Sequence, residues 1–168
     1  PENSGWLRTF TGGLLTTCGL TYLGPPVLDE DELLGLHGRY SNIPARQVAD
    51  LSHWDEDEYH IRLRGIVEEA ALFGNKIRLE REITTTIGQN RIRIADAITN
   101  FGYAESPYTI LYHMNFGYPF LSEESELIIN PEETIPRDEH SASGAVNFKR
   151  FSLPQAGFTE QVYFHRLR

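Results

Sequence analysis

Hydrophobic and polar residues alternate with period two through the middle of the chain. Tyr59, Ile61 and Leu63 alternate with His60, Arg62 and Arg64. Ile77, Leu79, Ile83 and Ile87 share one parity of the next run, and Arg78, Glu80 and Glu82 take the other. Ile92, Ile94 and Ile98 follow, opposed by Arg91 and Arg93. Successive side chains of a strand point to opposite faces, so each run buries one face and solvates the other. Gly88-Gln89-Asn90 supplies turn chemistry between the second and third runs, which predicts an antiparallel hairpin. Further strands are expected over 108–116 and 161–166, with a short one over 127–129 that ends at Pro131. A helix over 29–36 could only be short, because glycines and a proline pair crowd it. With 14 Gly and 9 Pro gathered between these runs, the fold class is all-β, a sandwich with long connections.

Composition narrows the function classes. The 168 residues suit one domain or a piece of a larger one. Lys and Arg number 15 against 24 Asp and Glu, a net charge of −9. This argues against nucleic acid and against an anionic membrane surface as partners. No apolar run approaches the ~18 residues of a membrane-spanning helix. Cys18 is the single cysteine, which excludes an internal disulfide framework and fits a reducing, cytoplasmic setting. It reads as a small buried hydrophobe. Acidic clusters at 29–32, 55–58 and 121–140 read as solvated loops and lack the Asp and Gly spacing of a calcium loop. The chain opens on Pro1-Glu2-Asn3 and closes just after a strand-like run, so an internal piece of a longer protein is expected.

Three stretches could carry chemistry. In Leu36-His37-Gly38-Arg39-Tyr40-Ser41-Asn42, an extended backbone would point His37 and Arg39 to the same side. A neutral imidazole there suits a sugar hydroxyl or carbonyl, while a loop His and Arg satisfied by backbone carbonyls is the plainer alternative. In Tyr108–Tyr118, His113 shares a strand face with Leu111 and Asn115, opposite Tyr112, Met114 and Phe116. Burying His and Asn there is costly without partners, so they form either a satisfied core pair or the lining of a wet cleft. In Glu160-Gln161-Val162-Tyr163-Phe164-His165, the carboxylate and the imidazole fall on opposite parities and need not meet. His53, His60 and His140 lie in or beside charged stretches and are expected at the surface. No nucleophile elbow, P-loop or dinucleotide fingerprint is present, and a close His-x-His pair with a nearby Glu, as a metal site would want, is absent.

Read together and in order, Gly12–Gly19, Gly35–Ala45, Ile98–Gly102, Leu111–Pro119 and Glu160–His165 resemble a family of bacterial proteins, domain of unknown function 4432. That family lies within the aldose 1-epimerase, or galactose mutarotase-like, superfamily. The resemblance implies a large β-sandwich, the supersandwich, with a sugar cleft across one sheet. It also implies a full-length member up to about twice as long. Residues 1–168 would then form the central part of a single carbohydrate-binding domain.

The same resemblance implies the activity: interconversion of sugar anomers by acid/base ring opening and closure, with no metal or organic cofactor. His113 would be the acid histidine and His37 the histidine of the sugar-binding loop. Arg39 and Asn115 would add hydroxyl contacts. Glu160 or Gln161 would fall near a substrate-binding aspartate, with His165 beside them. The catalytic glutamate of mutarotases would lie beyond the end of the chain, and Asp96 is the only in-chain carboxylate to weigh as a partner, although a hairpin Asp facing solvent is the plainer reading. The expected ligand is a monosaccharide or sugar derivative. Two other readings stand beside this one: a non-catalytic carbohydrate-binding or sensing domain on the same fold, and a fragment without activity whose open sheet edges would favour homo-oligomers.

Overall fold

The structure, a computed structural model, describes residues 10, 12–29 and 31–168. The start Pro1-Glu2-Asn3 and Glu30 of the first acidic cluster lie outside the described residues. The chain forms two compact units, Pro1–Asn115 and Phe116–Arg168.

The first unit is built on the alternating runs. The strands β4 (Arg46–Asp50), β5 (His53–Asp55), β6 (Glu58–Ala70), β7 (Lys76–Thr86) and β8 (Arg93–Asn100) form one antiparallel sheet. Its order is β4-β6-β7-β8, with β5 also paired to β6. The predicted hairpin is present: Ile83 pairs with Ile94 and Leu79 with Ile98. Gly88 closes its turn with φ +87°, a conformation costly to other residues. On the polar face, charged side chains pair across strands: Arg62 with Glu82, Arg64 with Glu80 and Arg78 with Glu68. These exposed pairs contribute little stability each, but they favour this register over a slip.

The apolar face of that sheet packs against a second layer. Here β1 (Leu15–Leu20) pairs antiparallel with β9 (Thr109–Met114). Leu20, Ile77, Leu79 and Tyr40 form the buried cluster, and Val67, Ile98 and Ile110 pack on it. Both layers contribute, which makes this unit a sandwich. Cys18 in β1 is fully buried, and burial pushes its thiol up to about 11. The end of β1 is tied to β6 by Glu69, whose carboxylate accepts the backbone N–H of Leu20 at 2.9 Å and of Thr21 at 3.1 Å.

The 29–36 segment is not helical. It contributes to a hairpin of β2 (Val27–Asp29) and β3 (Glu32–Leu34). A three-residue pairing needs no long periodic run, and the nearby Gly and Pro suit a turn better than a helix.

In the second unit, β10 (Pro131–Pro136) pairs with β11 (Tyr163–Leu167), and a short helix α1 (Glu139–Ser143) follows β10. Asp138 caps α1 by accepting the Ser141 N–H at 2.7 Å. The expected strand over 127–129 is absent, and Pro131 begins a strand rather than ending one. Proline lacks an N–H but tolerates the first position of an edge strand, and β10 is paired on one side only.

Candidate functional site

The site grows from a tight turn set against a strand. His37 has φ +61° and Gly38 φ +75°, so the chain reverses there instead of running extended. The turn is clamped on both sides: the His37 N–H donates to the Gly24 carbonyl at 2.8 Å, and the Gly19 N–H donates to the His37 carbonyl at 3.1 Å. A Cβ at Gly38 would stand 2.2 Å from the Tyr22 carbonyl oxygen and 2.7 Å from that of Gly19. Only glycine lets the backbone approach this closely, and the approach aims the His37 side chain.

His37 meets His113 of β9. Their ring centroids lie 5.9 Å apart, edge to face. Phe10 stands at 5.9 Å from the His113 ring, tilted by 56°. Both imidazoles are half-buried, and their Nδ1 atoms are covered. Two imidazoles and an aromatic ring thus gather from three separate stretches of sequence. Such a group offers hydrogen-bonding ring nitrogens beside an aromatic face that can stack on an apolar surface. Phe10 escaped the sequence reading, because a lone aromatic outside the recognised motifs carries no period.

Arg39 does not join this pair as an extended backbone would require. It is exposed and makes an ion pair with Glu32. The reversal at His37 and Gly38 sends consecutive side chains apart. Asn115 lies just past β9, and both of its amide protons are committed, to the carbonyls of Gly13 at 2.9 Å and His113 at 3.0 Å. Its role is to hold the end of β9 against the stretch before β1, leaving the amide oxygen to accept from a ligand.

Asp96 overturns the expectation of a solvent-facing hairpin carboxylate. Its side chain is 4% exposed and forms a two-point pair with Arg81, Nε to Oδ1 at 2.8 Å and Nη2 to Oδ2 at 2.7 Å. The Tyr112 hydroxyl donates to Oδ2 at 2.8 Å, and Arg81 also donates to Thr17 Oγ1 at 2.7 Å. Burial pushes the Asp96 carboxyl up, but the hydrogen bonds from Arg81 and Tyr112 and the guanidinium charge outweigh it and hold the group below the usual carboxylate range. A carboxylate held there is a poor proton acceptor. The signal for its burial was in the sequence: Asp96 shares parity with Ile94 and Ile98, and Arg81 with Leu79 and Ile83. Because Tyr112 and His113 are successive strand residues, this cluster and the His37–His113 pair lie on opposite faces of the β1–β9 layer.

The cleft beside that cluster, about 440 Å³, is lined by Thr17, Tyr40, Leu63, Val67, Arg81 and Ile83 among others, and neither imidazole borders it. Burial pushes the Tyr40 phenol up to about 12. The Arg81 charge on this cleft is met by Asp96.

Three further candidates belong to the second unit. Glu160 pairs with Arg137 at 2.7 Å at the surface. Gln161 accepts from the Tyr163 hydroxyl at 3.2 Å. His165 Nδ1 lies 3.0 Å from Thr134 Oγ1, with its ring 5.2 Å from that of Phe148. Gln161 and His165 are thus held by neighbours within β10, β11 and their flanks. His53 and His140 are exposed as expected, whereas His60 is half-buried. Among the described residues no group of three or more His, Cys, Asp or Glu side chains is placed to hold a metal ion.

Comparison with known proteins agrees with this picture of the fold. A crystal structure from Klebsiella pneumoniae subsp. pneumoniae MGH 78578, of a protein described as a "putative aldose 1-epimerase", superposes with a TM-score of 0.87 at 29% identity. The superposition covers 95% of this chain and 41% of that one, so the chain spans less than half the length of its structural relative. No curated protein matches the sequence. The all-β architecture is that of the galactose mutarotase-like sandwich. The family described as a domain of unknown function, DUF4432, matches residues 1–168 throughout, and the chain belongs to that family.

Proposed function

We propose that this chain carries part of the active site of a carbohydrate isomerase of the aldose 1-epimerase type. The observation that carries the reading is the approach of His37 to His113, ring centroids 5.9 Å apart, beside the Phe10 ring. The "putative aldose 1-epimerase" relative supports it.

In this reading His113 donates a proton to the ring oxygen of a bound aldose as a base removes the proton of the anomeric hydroxyl. The bond between C1 and the ring oxygen breaks, and C1 becomes an aldehyde. Rotation about C1–C2 turns the other carbonyl face to the returning hydroxyl, and reclosure with both proton transfers reversed gives the other anomer. His37 holds a sugar hydroxyl, and Phe10 covers an apolar sugar face. Asp96 is unsuited to be the base, because Arg81 and Tyr112 already occupy its oxygens. No metal takes part in the scheme.

Polarimetry of freshly dissolved aldoses with the intact protein tests this. Wild type accelerates mutarotation of at least one aldose, and His113→Asn lowers that rate ~100-fold or more, the usual cost of losing a general acid. An unchanged rate in the variant would remove His113 from the mechanism.

A further inference from the structure

The solvated face of the five-stranded sheet offers a second, separate site. Register places its side chains in two rows across the strands. His53 pairs with His60 and His60 with Thr86; one step along, Arg62 pairs with Thr84 and Thr84 with Arg93. These side chains border a hollow of about 560 Å³, in the size range of small-ligand pockets.

The charge in this hollow is not balanced as it is elsewhere on the face. Arg62 is neutralised by Glu82, and the Arg64 and Arg78 positions have their own glutamates. On β8 the ladder stops: the residues opposite Glu82 and Glu80 are Ala95 and Ala97, and Arg93 faces a threonine. Among the described residues, neither Arg91 nor Arg93 makes an ion pair. Asp55 is the remaining carboxylate of the lining, so guanidinium charge is in excess within a chain of net charge −9.

Two imidazoles, His53 and His60, border the same hollow. Their rings lie 5.5 Å apart. The Leu51 carbonyl can only accept, so His53 donates to it through Nδ1 at 3.2 Å, and Nε2 of the neutral ring is an acceptor suited to the remaining O–H of a hydrogen phosphate. His60 is held by Thr86 Oγ1 at 3.0 Å from its Nδ1, and its Nε2 lies 3.7 Å from a Glu58 carboxylate oxygen, so it shapes the wall of the hollow. Guanidinium groups and threonine hydroxyls around one shallow hollow match the several acceptor oxygens of a phosphate group.

We propose that the hollow between His53, His60, Arg91 and Arg93 binds a small phosphate-bearing ligand, free phosphate or a sugar phosphate. It shares no residue with the His37–His113 site, so its fate is independent of the isomerase reading. Guanidinium excess disfavours a metal cation there.

Isothermal titration of the intact protein with inorganic phosphate, a hexose 6-phosphate and the matching neutral hexose tests this. Saturable phosphate binding is expected, weakened at least about tenfold in Arg91→Gln/Arg93→Gln and again in His53→Gln, with Arg46→Gln as an unaffected control. Thermal melts matching wild type show that the variants are folded. Tighter binding of the hexose phosphate than of inorganic phosphate, lost in the same variants, identifies a sugar phosphate as the ligand; equal binding identifies the phosphate group alone. No saturable binding of either anion up to about 10 mM, or binding unchanged in both variants, overturns the proposal.

Discussion

Tyr112 and His113 are neighbours on β9 that point to opposite faces, and the company each keeps is different. Tyr112 joins Asp96, Arg81 and Thr17 in a cluster where every charge is met by its opposite and every carboxylate oxygen accepts a hydrogen bond. His113 meets a second imidazole and a phenylalanine ring, brought in by a strained turn and by the stretch before β1. The first arrangement holds one sheet layer to the other. The second sets two imidazoles and an aromatic ring together on a half-buried surface. Neighbouring residues of one strand thus join clusters of different chemistry, an ionic network on one face and a pair of imidazoles on the other.

Four substitutions or conditions sharpen this contrast, taken from the largest expected effect to the smallest. Asp96→Ala leaves the Arg81 guanidinium in a low-dielectric setting without its counter-charge, and costs about 3 kcal/mol in denaturant unfolding, with the full value recovered by no other single change at the surface. A loss under about 1 kcal/mol would mean the cluster is solvated and the contrast is lost. His37→Ala, which removes the second imidazole from the other face, raises KM for the best aldose about tenfold while kcat falls less, and leaves the melting temperature within a few degrees.

Acid separates the faces next. The native Asp96 carboxyl is held below its unfolded value, so its stabilisation is complete above about pH 4 and is lost as pH falls through the lowered native value. Acidification therefore costs wild type this stabilisation, whereas Arg81→Met, in which the carboxyl is no longer held down, starts less stable at neutral pH but loses less unfolding free energy as the pH falls, followed by denaturant titrations at a series of pH values. The smallest effect belongs to Arg39→Ala. Its ion pair with Glu32 is more than half exposed on both sides, so stability changes by less than about 0.5 kcal/mol. An activity loss above about tenfold in this variant would instead return Arg39 to the sugar site.

Much of this was legible in the chain. The parity of Ile77, Leu79 and Ile83 against Ile94 and Ile98 specified the β7–β8 hairpin and its core face, because one residue of slip would turn every isoleucine to solvent. His113 stood out because a polar ring on an otherwise apolar strand demands a reason. Asp96 and Arg81 followed the same parity into the interior, yet a charged residue reads as solvent-facing until its partner is known, and the pairing of 81 with 96 is a register fact. The turn at His37 was out of reach for another reason. Its conformation is imposed by the Tyr22 and Gly19 carbonyls pressing on Gly38, contacts that no local pattern encodes. The short β2–β3 hairpin was missed because three-residue strands are too brief to show a period.

The most direct test of the central claim sets His113→Asn beside Asp96→Asn and measures, on the same samples, anomeric exchange by two-dimensional NMR and the free energy of unfolding. The account predicts a crossed result. His113→Asn loses anomeric exchange ~100-fold with its stability within about 1 kcal/mol of wild type, and Asp96→Asn loses stability while the folded fraction exchanges anomers at the wild-type rate. Wild-type exchange in His113→Asn, or loss of exchange by folded Asp96→Asn, would contradict it.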